Sequence, residues 1–175
     1  VLDAALPEIA FDGWSEDVLA RAGEAAGIDD NSLHLAFSGG VGDLIAAFSS
    51  QGDAAMLATL DKPDDMKIRD RIRHAVRVRL EADTDHREAA RRAAGWLSWP
   101  GRQALGGRLV YATADHIWHW AGDKATDYNH YSKRLILSGV LGATRLVWFG
   151  DESDGNEKSW AFLDRRIENV MQFEK

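Results

Sequence analysis

The chain has 175 residues, 45% of them hydrophobic and 28% charged. That balance suits one folded globular domain, or a small helical module fused to a larger one, and excludes a disordered chain. A net charge of −7 opposes binding along nucleic acid or to a membrane by charge alone. The absence of cysteine excludes disulfides, thiolate catalysis and cysteine-ligated zinc, and fits a reducing compartment.

No apolar run approaches the roughly 20 residues of a membrane-spanning helix, and no signal peptide is visible. Val1 opens the sequence, so a native start and any targeting segment are expected upstream. Helical spacing dominates, strand-like alternation is absent, and there are only three prolines. A short first segment, Val1–Ala10, precedes a turn at Phe11-Asp12-Gly13-Trp14. A second helix opens at Ser15 and ends near Gly27; a third runs from Asp30 to Phe37; a fourth covers Val41–Leu60. Pro63 and Pro100 are placed at helix starts, where a missing N–H costs nothing.

Beyond Pro63, Met66–Ala82 sets Ile68, Ile72, Ala75, Val76 and Leu80 on one stripe, and His86–Trp99 follows. A long helix, Arg102–Ala121, carries Leu105, Leu109, Thr113, Ile117 and Trp120 on one face. In Tyr128–Phe149, Leu135, Ser138, Gly139, Gly142 and Leu146 form one face, and Leu137, Leu141, Thr144 and Trp148 another. A helix apolar on both sides must be covered on both, by a subunit partner or a ligand. This points to a homodimer. The last helix aligns Trp160, Leu163, Ile167 and Val170. The reading is all-α, about nine helices, with one domain at 1–61 and a larger one at 62–175.

His116 and His119 lie three apart and could share a metal, but no Glu-x-x-His motif completes a carboxylate site, so no metal is expected. Lys67, Arg69, Arg71, Arg73, Arg77 and Arg79 scatter around their helix and read as a solvated face paired with acids. Gly39-Gly40-Val41-Gly42 lacks the strand and the Lys-Ser/Thr of a phosphate loop. No catalytic constellation and no cofactor motif is present. By contrast, Tyr128, His130, Tyr131, Lys133 and Arg134 crowd the first turns of one helix, on three sides of it. Some must face solvent, and exposed aromatic and arginine clusters make interface hot spots.

Two resemblances follow from these segments. Leu2–Leu6, Gly13, Val18–Gly27 and Leu33–Phe37 resemble the DNA-binding head of TetR-type regulators, whose third helix enters the major groove. Here that helix begins Ile28-Asp29-Asp30-Asn31, and aspartate at phosphate costs affinity. The head is therefore expected to be a degenerate helix-turn-helix that does not bind nucleic acid. From about Trp96 to Met171, Asp115-x-Ile117-Trp118, Ala121-Gly122-Asp123, Thr126-Asp127-Tyr128-Asn129-x-Tyr131-x-x-Arg134 and Trp160-x-Phe162-Leu163 are similar to the coenzyme Q biosynthesis accessory family, the ninth Coq protein and its bacterial relatives.

That resemblance implies a TetR-like dimer that binds an isoprenoid or quinone lipid in its larger domain. It also implies docking onto the di-iron hydroxylase that oxidises demethoxyubiquinone, without catalysis by the protein itself. The implied docking residues are Asp127, His130, Tyr131 and Arg134, the family often carrying tryptophan at the position of His130. For the lipid, the tryptophan-rich segment suggests Trp96, Leu97, Leu109, Tyr111, Ile117, Trp118, Leu135 and Leu141. The implied location is the matrix side of the mitochondrion, or the cytoplasm or inner-membrane periphery in a bacterium. The family ends in an amphipathic membrane helix. This sequence stops at Met171-Gln172-Phe173-Glu174-Lys175, so that helix is expected outside it, or membrane contact to be weaker. The rival readings are a TetR-type repressor with a small-molecule pocket and a metal enzyme built on His116 and His119.

Overall fold

The computed structural model describes the backbone of residues 1–173 and the side chains of residues 1–170; the expectation placed on the tail Met171–Lys175 lies outside these described side chains. Among the described residues every regular element is helical: α1 (Leu2–Asp12), α2 (Glu16–Ala25), α3 (Asp30–Ala36), α4 (Val41–Thr59), α5 (Ile68–Glu81), α6 (Arg87–Leu97), α7 (Gln103–Trp120), α8 (Tyr128–Phe149) and α9 (Glu157–Phe173). Short polar caps set several starts. Ser15 accepts from Val18 N at 3.2 Å, Asp29 from Ser32 N at 3.0 Å, and Asp127 from Asn129 N at 3.1 Å. Each satisfies an N–H that the first helical turn leaves unpaired. The helices follow the sequence spacing closely, but the prolines do not. Pro63 stands in the loop before α5, Pro100 in the turn before α7, and Pro7 inside α1.

The chain packs as two compact units: residues 1–52 with 85–106, and residues 53–84 with 107–175. The sequence reading placed a single boundary at 61/62. The difference arises because α6 joins the N-terminal helices. Trp14 is buried, its Nε1 donates to the Ala89 carbonyl at 2.9 Å, and its ring centroid lies 5.5 Å from that of Phe48. Within this first unit α2 and α3 meet tightly. A Cβ on Gly23 would come within 2.6 Å of a Leu33 methyl, and Gly27, at φ +70°, makes the turn between them in a region side-chain-bearing residues avoid.

The second unit is built on α5, α7, α8 and α9 around Ile72, Val76, Leu80, Ile117, Leu137, Leu141, Trp148, Leu163 and Ile167. Its core also holds charge. Arg79, 1% exposed, reaches Asp53 and Asp83 at 2.7 Å each, while Thr113 donates to Asp53 at 2.7 Å and His116 Nδ1 lies 3.1 Å from it. The expectation of a solvated basic face therefore holds for Arg73 and Arg77, paired with Asp70, Asp164 and Glu81, and fails for Arg79. Two carboxylates compensate the charge that burial would otherwise penalise.

The two apolar faces of α8 have different fates. Leu137, Leu141, Thr144 and Trp148 are buried, whereas Leu135 and Leu146 are 63% and 68% exposed. Cβ atoms added to Gly139 or Gly142 would meet nothing within 4 Å. One face is filled and the other is bare.

Removing one member of a buried ion pair leaves its partner uncompensated. Asp53→Ala is expected to lower unfolding stability by about 3 kcal/mol in urea titrations. A loss below about 1 kcal/mol would contradict the role given to this carboxylate.

Candidate functional site

The site begins where α7 ends. Gly122, at φ +92°, turns the chain out of the helix, and Asp123 N donates back to the Trp118 carbonyl at 3.0 Å. Residues 121–127 then lead to Asp127, the cap of α8. One buried cation ties these pieces together. Arg134 is 1% exposed; its Nε donates to Asp115 of α7 at 2.5 Å, and one terminal nitrogen donates to Asp123 of the loop at 3.0 Å. Lys133 adds a second cation, 3.0 Å from Asp123 and 5.3 Å from the Trp118 ring centroid. Trp118 Nε1 donates to the Lys133 carbonyl at 3.1 Å. His130 Nδ1 lies 2.8 Å from the Ala125 carbonyl, which can only accept, so that nitrogen carries the proton.

The electrostatics follow from this arrangement. Burial alone would raise the pKa of Asp115 and of Asp123. Hydrogen bonds and charge from Arg134, joined at Asp123 by Lys133, outweigh it, so both carboxyls sit below the ordinary aspartate value. The same partners raise Arg134 against the opposing effect of its own burial.

Above this clamp α8 shows an aromatic stripe to solvent. Tyr128 is 83% exposed, Tyr131 60% and Leu135 63%, at steps of three and four. Of the four expected docking residues, Asp127 and Tyr131 are exposed, His130 is half-buried with its ring against Tyr131, and Arg134 is buried. The guanidinium of Arg134 holds the segment from within and is not itself part of the exposed face. His116 and His119 do not converge, since His116 faces Asp53 and His119 lies 3.5 Å from Asp115. Among the described residues no three His, Asp or Glu side chains gather as metal ligands.

An apolar trough runs beside α8. Ile68 and Ile72 of α5, Trp118 of α7, Ile136, Leu137 and Val140 of α8, and Ile167 and Val170 of α9 line its first part, with Arg69 and Lys133 among them. That part holds about 470 Å³ of atom-free space, mouth included, and is shallow. A second part shares Ile136, Val140 and Val170 and adds Gly139, Ala143, Arg166 and Asn169.

Of the eight residues expected to hold lipid, Trp118 alone lines the trough. Ile117 and Leu141 are fully buried core, Leu135 is exposed, and Leu109 and Tyr111 are half-buried elsewhere on α7. Trp96 and Leu97 belong to the first unit, where Trp96 stacks under Arg102 at 3.9 Å. The cavity was expected along Trp96 to Trp120, Tyr111 and Leu135 to Leu141; Ile136 and Val140 of the trough fall within that range and Val170 outside it.

Comparison with known proteins bears on this site directly. Residues 104–174 match the family described as COQ9, a stretch that holds Asp115, Asp123, Asp127, Tyr131 and Arg134 together. Over that stretch the chain is similar to the COQ9 family. The ubiquinone biosynthesis protein COQ9, mitochondrial, of Rattus norvegicus is 31% identical across 98% of this chain and 57% of its own length. COQ9-A of Xenopus laevis is 30% identical and the Homo sapiens protein 28%, each over 98% of this chain and 56% of the relative. The chain thus spans little more than half the length of these COQ9 relatives. Among solved structures, a TetR transcriptional regulator from Nitrosomonas europaea superposes with a TM-score of 0.75, covering 98% of this chain and 95% of its own, at 21% identity. That likeness establishes a TetR-like, all-helical fold.

The depressed carboxyls yield a pH test. A carboxyl whose folded pKa is lowered stabilises the fold above its unfolded pKa of about 4, and that stabilisation is lost as pH falls through the folded value. Arg134→Gln should therefore be less stable than wild type, with a gap that is largest near neutral pH and closes as the solution is acidified below about pH 4. A gap independent of pH would contradict the clamp.

Proposed function

We propose that this chain is a non-catalytic accessory protein of ubiquinone biosynthesis that binds a quinone or isoprenoid lipid and presents it to the demethoxyubiquinone hydroxylase. The observation that carries the reading is the pairing, on one helix, of the exposed Tyr128–Tyr131–Leu135 stripe with the apolar trough lined by Ile136 and Val140. A carrier needs a greasy recess and a recognition face. An isoprenoid tail burying about 400 Å² gains roughly 10 kcal/mol over water, but a bilayer offers the same gain, so transfer between bilayer and trough is close to neutral and exchange is not held back. The names of the COQ9 relatives support the pathway, and their description as mitochondrial supports the matrix side as its location. In a bacterium the corresponding place is the cytoplasm or the periphery of the inner membrane. No described helix is long and apolar enough to cross a membrane.

The roles divide along α8. Its first turns, with Asp127, Tyr128, His130 and Tyr131, face the hydroxylase, while Arg134 fixes their position from inside. The bare Gly139, Gly142 and Leu146 face suits a second copy of the chain, because small residues allow close helix approach and Leu146 supplies apolar area.

The TetR-like fold raises a second reading, a DNA-binding repressor with a small-molecule pocket. The head is poorly charged for it. Residues 1–52 carry nine aspartates and glutamates against a single arginine, Arg21, and phosphate repels such a surface. A gel shift at low salt separates the two readings, since a repressor binds duplex and the carrier does not.

Pull-down with the hydroxylase tests the docking face. Tyr128→Ala and Tyr131→Ala should each lower recovery about tenfold or more, the loss expected of an exposed aromatic anchor, with the fold retained. Wild-type recovery in both variants would remove the interface.

A further inference from the structure

The negative charge of the chain is concentrated at its start. Residues 1–52 carry nine aspartates and glutamates against Arg21, while residues 53–175 carry nineteen against twenty lysines and arginines. Arg21 is itself occupied by Glu8 and Asp12, at 2.7 and 2.6 Å. Helix α6 adds Arg91 and Arg92 to the same unit, but Glu88 pairs with both. Within this unit α2 and α3 flank an open groove of about 800 Å³, mouth included. Leu19, Leu33 and Phe37 supply its apolar lining, Glu16 and Asp30 its charge, and no lysine or arginine lines it. Glu16 accepts from Val41 N at 3.0 Å; the Asp30 carboxylate is exposed and has no hydrogen bond or ion pair among the described residues. In a helix-turn-helix these two helices lie against a polyanion, one crossing its backbone and the other entering its groove. Here the shape is kept and the sign of the charge is reversed.

We infer that the α2–α3 groove docks a cationic amphipathic helix of a partner protein, with lysine or arginine on one side and apolar side chains on the other. The apolar side chains meet Leu33 and Phe37, and the cations meet Glu16 and Asp30. Charge complementarity selects this occupant. Nucleic acid and an anionic bilayer are repelled by the same carboxylates. A metal ion lacks ligands, since no three His, Asp or Glu side chains gather among the described residues. A small organic cation would leave the apolar lining in water. The inference concerns the first unit alone and does not depend on the lipid reading.

Fluorescence anisotropy tests this with three labelled peptides of about 18 residues, roughly five helical turns each. One carries lysines opposite leucines. The second replaces its leucines by alanine, which keeps helix propensity, and the third replaces its lysines by glutamate. The first should bind about tenfold more tightly than either of the others, and its affinity should fall as salt is raised. Ala20→Trp places bulk on an exposed groove position without changing charge, so the fold should persist and binding should weaken about tenfold. Asp30→Lys should weaken it about tenfold as well. Asp65→Asn, which removes an exposed carboxylate of the other unit, should leave it unchanged. Equal binding of the two cationic peptides leaves charge alone and overturns the inference. So does wild-type affinity in both Ala20→Trp and Asp30→Lys, which moves the contact elsewhere. A lower particle mass in Ala20→Trp than in wild type by light scattering would assign the groove to a second copy of the chain and also overturn it.

Discussion

The site is organised by the guanidinium of Arg134, buried between the carboxylates of Asp115 and Asp123. One belongs to α7, the other to the turn that follows, and the arginine belongs to α8, so three consecutive pieces of chain are fixed by one charged group. Such a contact is costly to assemble, because Arg134 and Asp123 leave water almost entirely and Asp115 in large part, and costly to break, because any one removed strands the others. With both carboxylates satisfied, the clamp holds the first turns of α8 in a single pose. Tyr128 and Tyr131 can then stay exposed without collapsing onto the core. Preorganised aromatic side chains of this kind bind partners with little ordering cost.

A second buried cation, Arg79, does comparable work elsewhere in the same unit through Asp53 and Asp83. Together the two clusters constrain α5, α7 and α8 beside the largely apolar trough.

Much of this was legible in the sequence. Three- and four-residue spacing of apolar side chains marked the helices, and the second was expected to end near Gly27, where the α2–α3 turn stands. The segment from Asp115 to Arg134 stood out because aromatic and cationic residues crowded one helix start. What remained hidden depended on distance along the chain. Nothing local shows that Asp53 reaches Arg79 across 26 positions, so Arg79 read as solvated. Arg134 read as a surface contact because its carboxylates, 19 and 11 residues away, come together only in the fold. The residues that line the trough were the least legible. Periodicity marks Ile117 and Leu141 as inward-facing but cannot distinguish a filled core from the wall of a recess, and an abundance of tryptophan gives apolar area without its address.

The central claim is that the recess between α5, α8 and α9 carries lipid and that no side chain of this protein reacts with it. Organic extraction of the purified protein, followed by mass spectrometry, tests it most directly when wild type is compared with Ile136→Asp, a change on a partly exposed trough residue. The account predicts an isoprenoid or quinone amphiphile in the wild-type extract, chemically unaltered, and its loss from a variant that keeps its helical content. The same lipid yield from both proteins, or no lipid from either, would contradict it.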